Sequence, residues 1–340
     1  LGRLILGLLI NSNKKIKLIG DKSLSKRDFS RVTIPLKKFG AKFSRSKNLP
    51  LEMKGTNNPK PINYLEKKGS AQCKTTIMLA ALKSEGVTTI KAKKSRDHTE
   101  LMFKHLKIPI IVKKNDKNFD KIKIYGVKKV GPLNYKIPGD IGSCAFFIVL
   151  TLLSKNSQLL IKNININPTR VGIIKILKMM GASIKFLNKR SYKGEKISDI
   201  FIKSSKNLKG INCPVRFNSS AIDEFLVIFL VAARSRGTSY FKDLSELNQK
   251  ESPRLKWASK ILKFMGIVNI MTKSSIKIVG NPNLDLNKKI NIRNFSKDHR
   301  IFMMSVIAAL TFGGKWIIDD LDSIKTSFPK FLEILKKIEQ

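Results

Sequence analysis

The chain is poor in cysteine and in acidic side chains, and it lacks several of the patterns that most readily betray a function. Its 340 residues hold three cysteines, Cys73, Cys144 and Cys213, widely separated and without a Cys-x-x-Cys pair. That excludes a disulfide framework and a cysteine-based zinc site, and it points to a reducing compartment. No apolar run reaches membrane-spanning length; AFFIVLTLL (145–153) and FLVIFLVAA (225–233) are about half of what a bilayer needs and read as buried helices. There is no Walker loop, no GxGxxG, no metal-ligand spacing and no Ser-His-Asp arrangement. Asp and Glu total 24 against 67 Lys and Arg, a formal net charge of +43. Such a balance favours anionic partners: nucleic acid, anionic membrane or phosphorylated molecules. The lysines, however, are spread along the whole chain, with no dense basic tail, no RNA-binding aromatic signature and no Cys/His finger. Neither nucleic acid nor membrane is therefore the expected partner, although a polyanion-binding protein stays open as an explanation of the charge.

What the sequence does have is repetition. LKKFGAKF (36–43) returns as LKMMGASIKF (177–186) and LKFMGIVNI (262–270), with weaker echoes in FKHLKIPIIV (103–112) and LEILKKI (332–338). Each reads as a helix end, a glycine or equivalent stop, and then a strand. A second series marks helix starts: GSAQCKTTIMLAAL (69–82), GDIGSCAFFIVLTLL (139–153), SSAIDEFLVIFLVAA (219–233) and SKDHRIFMMSVIAAL (296–310). Its members lie roughly 75 residues apart, too long for a solenoid and right for a repeated unit of strands and two helices. These helices are apolar nearly all round and must be buried by sheet or by one another. TTIKA (88–92), QLLIKNI (158–164) and SIKIVG (275–280) read as strands between them. The expectation is an α/β protein of repeated units in two lobes, 1–138 and 139–340, with a hinge near YKIPGDI (135–141) and a ligand cleft. The opening LGRLILGLLI reads as the middle of a helix whose beginning has been cut off.

The helix starts carry polar residues where a ligand would meet free backbone N–H groups. GSAQCKT offers Ser70 and Gln72. SRDHTE (95–100) offers Ser95 and Arg96, with Asp97 as the expected cap. KDHR offers His299 and Arg300. Asp223 lies in an otherwise apolar stretch, a placement that requires pairing or partial solvation. In ELNQKESPRL (246–255), Lys250, Glu251 and Arg254 crowd the mouth of a helix, with Ser252 expected as N-cap and Pro253 at its first position. Taken singly, Ser70 is more often a cap than a ligand, His299 is more often structural than catalytic, and a charge run is more often a solvated face. Together the units supply Arg and Lys for anions, Ser and Gln for hydroxyls, and two candidate acid/base carboxylates, Asp223 and Glu251. The set suits small phosphorylated or carboxylated molecules and acid/base work with neither metal nor cofactor.

SAQCKT, SRDHTE, PGDIGSCAFF, NPTRVGII (167–174), IDEF, KESPR, DHR and TSFPKF (326–331) occur in the order found in 5-enolpyruvylshikimate-3-phosphate synthases, which the whole chain resembles. The resemblance implies a two-lobed enolpyruvyl transferase fold, an inside-out α/β barrel of βαβαββ units. It also implies transfer of the enolpyruvyl group of phosphoenolpyruvate to the 5-hydroxyl of shikimate 3-phosphate, by a cytoplasmic monomer. Asp223 would then take the hydroxyl proton and Glu251 serve proton transfer at the methylene carbon. Ser70, Gln72, Ser95, Arg96 and Lys250 would hold shikimate 3-phosphate, and Arg27, Arg254 and Arg300 would clamp phosphoenolpyruvate.

The sequence departs from the family at four places: Asp28 stands where Pro is usual, Asn248-Gln249 where Arg-Val is, Pro253 where Asp is, and Gly142 where Ser is. The resemblance implies that an N-terminal segment of about a hundred residues, on the scale of the repeat, with most of the first βαβαββ unit, is absent here, so the sequence is expected to be truncated or to be completed by a separate polypeptide. The family's Lys-Ser-x-x-x-Arg motif and a Gly-rich turn lie there, and Arg3 falls just after the turn. The chain alone is therefore expected to be poorly stable and inactive. The other readings are a degenerate family member and a UDP-N-acetylglucosamine enolpyruvyl transferase, for which Cys73 is the nearby candidate acid.

Overall fold

Helices without a polar face have no place on a surface, and the structure gives them none. The computed structural model describes residues 2–45, 47–114 and 118–338, and the chain divides into two compact units. The first comprises Leu1–Lys136 with Tyr192–Glu195, the second Ile137–Ser191 with Lys196–Gln340.

In the second unit the helices Ile141–Leu153, Phe225–Arg234 and His299–Phe312 pack on one another. Sheets and the amphipathic helices Gly172–Met179, Arg254–Phe264 and Phe331–Ile338 cover them. Aromatic contacts close this core. Phe225, Phe229 and Phe241 meet with ring centroids 5.1–5.8 Å apart. Phe328 and Phe331, from TSFPKF, pack against Phe147. A half-polar or fully polar residue in these helices would have to find a partner inside the protein, which is the condition that shapes the site below.

One strand arrangement recurs four times among the described residues. A strand is followed by an amphipathic helix and two further strands, and the last strand inserts between the first two. It is built from Lys15–Leu18, Lys42–Phe43 and Leu51–Lys54, and again from Val87–Lys93, Ile110–Lys113 and Phe119–Tyr125. In the second unit it is built from Gln158–Asn165, Ser183–Tyr192 and Glu195–Lys203, and from Thr238–Phe241, Asn269–Met271 and Ile276–Val279. Alternating burial along these strands, as in Ile276–Val279, leaves one sheet face wet. The buried helices act as crossovers between parallel strands, Asn63–Glu66 with Val87–Lys93 and Leu286–Ile292 with Gly313–Ile318. Single parallel bridges, Gly139 to Ile164 and Asn212 to Tyr240, mark the same connection elsewhere.

The helix stops expected from the repeat are present and explain its glycines. Gly40, Gly181 and Gly266 all have positive φ after their helices. In the weaker echo Lys107 takes the left-handed position itself, at φ 55°. Two expected helix starts need correction. Arg254–Phe264 begins after Pro253, which stands at the cap position without a side-chain cap, so Ser252 is not the N-cap and Pro253 is not the first helical residue. Asp97 stands at the cap of His98–His105, but its side chain makes no capping hydrogen bond. The segment from 219 to 233 is also interrupted: Asn218–Ala221 and Phe225–Arg234 are separate helices, and Asp223 sits in the turn between them.

Candidate active site

The second unit gathers its charges around the start of His299–Phe312. Asp298 caps that helix through a 3.0 Å bond from the Arg300 backbone N–H to its Oδ1. Its Oδ2 accepts hydrogen bonds from Ser252 Oγ at 2.8 Å and Arg254 Nε at 2.9 Å. This is why Ser252 does not cap its own helix: a fully buried carboxylate claims its hydroxyl. Arg254 is buried as well, and its guanidinium also donates to Glu251. Burial by itself would depress the Arg254 guanidinium, but Asp298, Glu251 and Asp223 hold it above its ordinary value. The KESPR segment is thus locked to the neighbouring helix start.

Asp223 faces this group from its turn. Its Oδ1 lies 3.3 Å from Lys250 Nζ and 3.5 Å from Arg254 Nη1, and its Oδ2 lies 4.0 Å from Arg170 Nη1. Its backbone carbonyl accepts a 2.7 Å hydrogen bond from Arg300 Nη1. The side chain stays 18% exposed and that of Glu251 22% exposed, so both carboxylates keep a path to solvent or ligand. The pairing that Asp223 required is therefore met by three cations, and its partial solvation is met too.

Behind Asp223 lies a deeper layer. Glu224 is completely buried, 3.6 Å from Arg170 Nη2 and 3.9 Å from Arg300 Nη1, and neither of its carboxylate oxygens is hydrogen-bonded. Burial pushes its carboxyl up, Arg170 and Arg300 oppose that, and Asp223 and Asp140 add to it. Arg170 donates at 3.0 Å to Asp140, the N-cap of Ile141–Leu153. Burial raises Asp140, but the charge and hydrogen bond of Arg170, with Arg300 beyond, outweigh it and hold that carboxyl below its ordinary value. His299, beside the cap, is lowered by burial and then by Arg300.

The first unit carries the remaining candidates. Ser70 is the N-cap of Ala71–Ala81, accepting from the Cys73 N–H at 3.2 Å. Gln72 Oε1 accepts from Arg3 Nη1 at 2.8 Å, and Arg3 Nη2 donates to the Asp28 carbonyl at 2.9 Å. Arg3 is depressed below its ordinary value, first by burial and then by Arg27 and Arg31, so three guanidinium groups share this region. Asp28 turns its carboxylate to Ser30, accepting from its N–H at 2.8 Å, and the Ser30 side-chain hydrogen bond, joined by the backbone one, holds it below its ordinary value against its burial. Ser95 Oγ is buried without a hydrogen-bond partner. The Arg96 carbonyl accepts from Lys74 Nζ at 2.8 Å.

Lys250, Glu251, Arg254, Arg300 and Asp223 thus form one cluster. Gln72 and Arg27 belong with Arg3, Ser70 caps the helix that carries Gln72, and Ser95 and Arg96 lie on the turn that Lys74 engages. Asp298, Glu224, Arg170 and Asp140 are site residues that the residue pattern had not singled out individually. Asp140 and Asp298 each stand directly before an apolar run, a capping signal that was available. No local signal links Ser252 to Asp298, which are far apart in sequence.

The chain that carries this cluster has counterparts among known proteins. The EPSP synthase (3-phosphoshikimate 1-carboxyvinyltransferase) family matches residues 2–335. The 3-phosphoshikimate 1-carboxyvinyltransferase of Petrotoga mobilis is 38% identical over 99% of this chain and 77% of its own length. That of Caldicellulosiruptor bescii is 39% identical over 98% and 76%. In solved structures, EPSP synthase from Acinetobacter baumannii aligns with a TM-score of 0.87 at 35% identity, covering 99% of this chain and 76% of that one. The enolpyruvyl transferase NikO from Streptomyces tendae shares the fold at 14% identity, with a TM-score of 0.73 and coverage of 98% and 75%. This chain spans about three quarters of the length of these relatives. With the repeated fold, the clustered KESPR, IDEF and DHR residues and these matches together, the chain belongs to the EPSP synthase family.

Proposed function

We propose that this chain transfers the enolpyruvyl group of phosphoenolpyruvate to the 5-hydroxyl of shikimate 3-phosphate and releases phosphate. The observation that carries the reading is Asp223: a part-open carboxylate within 4.0 Å of Lys250, Arg254 and Arg170, beside the equally open Glu251. Two anionic substrates need cations to come together, and the addition needs a base and an acid. In this mechanism Asp223 accepts the 5-hydroxyl proton as the oxygen attacks C2 of phosphoenolpyruvate. Glu251 delivers a proton to C3, which becomes a methyl group in a tetrahedral adduct. A proton then leaves C3 to Glu251 while the C2–O bond to phosphate breaks, and the enol ether forms.

Arg27, Arg254 and Arg300 serve phosphoenolpyruvate; Ser70, Gln72, Ser95, Arg96 and Lys250 serve shikimate 3-phosphate. The protein works as a monomer in the cytoplasm. Cys73 does not suit the acid role that the UDP-N-acetylglucosamine reading requires. It lies in a helix, donates from Sγ to the Arg31 carbonyl, and burial pushes its thiol up to about 12.

The test is phosphate release from the two substrates, by the chain alone and joined to the N-terminal segment of the Petrotoga mobilis relative. Release that falls by about 10²–10⁴ in Asp223→Ala and in Glu251→Gln supports the reading, since that is the usual worth of a general acid or base. A folded, soluble fusion that releases no phosphate sinks it.

A further inference from the structure

The helix Ala71–Ala81 carries a lysine on a closed face. Lys74, one turn past the cap Ser70, is 2% exposed at its side chain. An ammonium taken out of water must have its charge balanced and its protons accepted. Two groups do so: Glu100 Oε1, at 2.5 Å, and the backbone carbonyl of Arg96, at 2.8 Å. The next residue makes a second tie, with Thr75 Oγ1 and Thr99 Oγ1 2.7 Å apart. Lys74 thus holds the turn before His98–His105 at the Arg96 carbonyl, and Lys74 and Thr75 hold the first turn of that helix at Glu100 and Thr99.

As a stabilising device the pair is poor. Glu100 keeps one oxygen buried without a hydrogen bond, and burial pushes its carboxyl up against the pull of Lys74. A pair of apolar side chains of similar volume would hold these elements together as well or better. What an apolar pair would not do is fix the direction of the Arg96 carbonyl, and with it the Ser95–Arg96 backbone. Ser95 adds a buried hydroxyl with no partner among the described residues. The turn and the helix start each carry two residues assigned above to one ligand.

We infer that Lys74 is a positioning residue for shikimate 3-phosphate: neutralised by Glu100, its ammonium registers the Ser95–Arg96 turn against the helix that carries Ser70 and Gln72. The inference rests on the reading that these four residues hold that substrate. Glu100 acts through Lys74, and Thr75 is the weaker second tie.

The experiment is calorimetric binding of shikimate 3-phosphate to the full chain, alone and in the fused form used above, with thermal melting and the KM for phosphoenolpyruvate at saturating shikimate 3-phosphate. Lys74→Met leaves Glu100 uncompensated and is expected to lower the melting temperature. Lys74→Met with Glu100→Gln removes both charges and is expected to restore it. Both variants should weaken shikimate 3-phosphate binding by about ten-fold or more, the worth of a hydrogen bond from a charged donor. The KM for phosphoenolpyruvate should stay within about two-fold of the parent's. Thr75→Val, which leaves the ion pair intact, should weaken shikimate 3-phosphate binding by roughly two- to three-fold.

Parent-like affinity in the folded double variant, or in Thr75→Val should the double variant not fold, overturns the inference. So does an equal loss for both substrates, the mark of a merely structural pair. If the parent binds no shikimate 3-phosphate and releases no phosphate, the proposed function fails and the inference with it. A parent that binds, beside variants that bind equally well, sinks the inference alone.

Discussion

Arg3 in the first unit bonds Gln72 at the start of Ala71–Ala81, Arg254 in the second opens Arg254–Phe264, and their surroundings differ in one respect. Arg3 donates to an amide and a backbone carbonyl, and beyond its burial the groups that depress it are two further arginines, Arg27 and Arg31. Arg254 donates to carboxylates and is held above its ordinary value in spite of deeper burial. The second-unit cluster supplies its own counter-charges: Asp223, Glu251 and Asp298 face Lys250 and Arg254, and Glu224 and Asp140 face Arg170 and Arg300. The region around Arg3 carries mostly cations and neutral caps. A neutralised cluster is preorganised and can place a proton-transfer group without waiting for a ligand. A cluster of like charges is relieved when an anion arrives, which suits binding more than chemistry.

The sharpest way to break this comparison is to remove the counter-charge at the heart of the second cluster. Asp298→Ala leaves Arg254 buried with one carboxylate fewer, frees the Ser252 hydroxyl and uncaps His299–Phe312. A buried ion pair broken on one side costs about 3–5 kcal/mol, read as a fall in the urea midpoint at constant slope. An effect under 1 kcal/mol would mean that the cluster is not preorganised by this residue.

Gly142→Ser tests how tightly the deeper layer is packed. A Cβ there would lie 2.7 Å from Glu224 Oε1 and 2.9 Å from both Arg170 Nη2 and Asp140 Oδ2. These tips are paired with one another and cannot shift independently, so the substitution should cost about 1–3 kcal/mol as overpacking does, by the same denaturation assay. The family's usual serine is thus expected to be unfavourable in this chain unless the surrounding charges rearrange.

In the first unit the caps are ordinary, and the expected effect is smaller. Ser70→Ala loses one hydrogen bond to the Cys73 N–H and should lower stability by about 1 kcal/mol. Its larger consequence is expected in shikimate 3-phosphate affinity, which separates a ligand-binding cap from a plain one.

The last test reads a slope, which is small at any one pH. The raised carboxyl of Glu224 means that the folded protein binds a proton there more tightly than the unfolded chain does. The stability this contributes is full below the unfolded value, about 4.3, and is lost as pH rises through the folded value. Glu224→Gln cannot titrate, so its stability relative to the parent should increase as pH rises across that window. A flat difference between pH 4 and 8 would show that Arg170 and Arg300 fully compensate the burial.

Much of the fold was legible because it rests on local patterns repeated along the chain. Gly40, Gly181 and Gly266 end helices where only a left-handed residue fits, and the apolar runs at 145–153 and 225–233 exclude an exposed position. The second repeat gave the helix starts on which Ser70 and Arg300 lie, whereas Asp223 falls in a turn that interrupts the expected helix. Periodicity misplaced the start of Arg254–Phe264, because Ser-Pro is a strong local signal and the competing acceptor, Asp298, is supplied by another helix. It also had no means of finding Glu224, which reads as one more charge beside Asp223 until two distant arginines are brought to it.

The sequence by itself determined which residue types were available, where helices stop, and which helices had to be central, since these follow from backbone sterics and from the cost of leaving apolar surface in water. Which charges meet was decided only by the tertiary structure. Pairing of Arg254 with Asp298, Arg170 with Glu224, and Lys74 with Glu100 depends on distances of a few ångströms between separate segments of the chain, because hydrogen bonds exist only at those distances and Coulomb attraction weakens steadily beyond them.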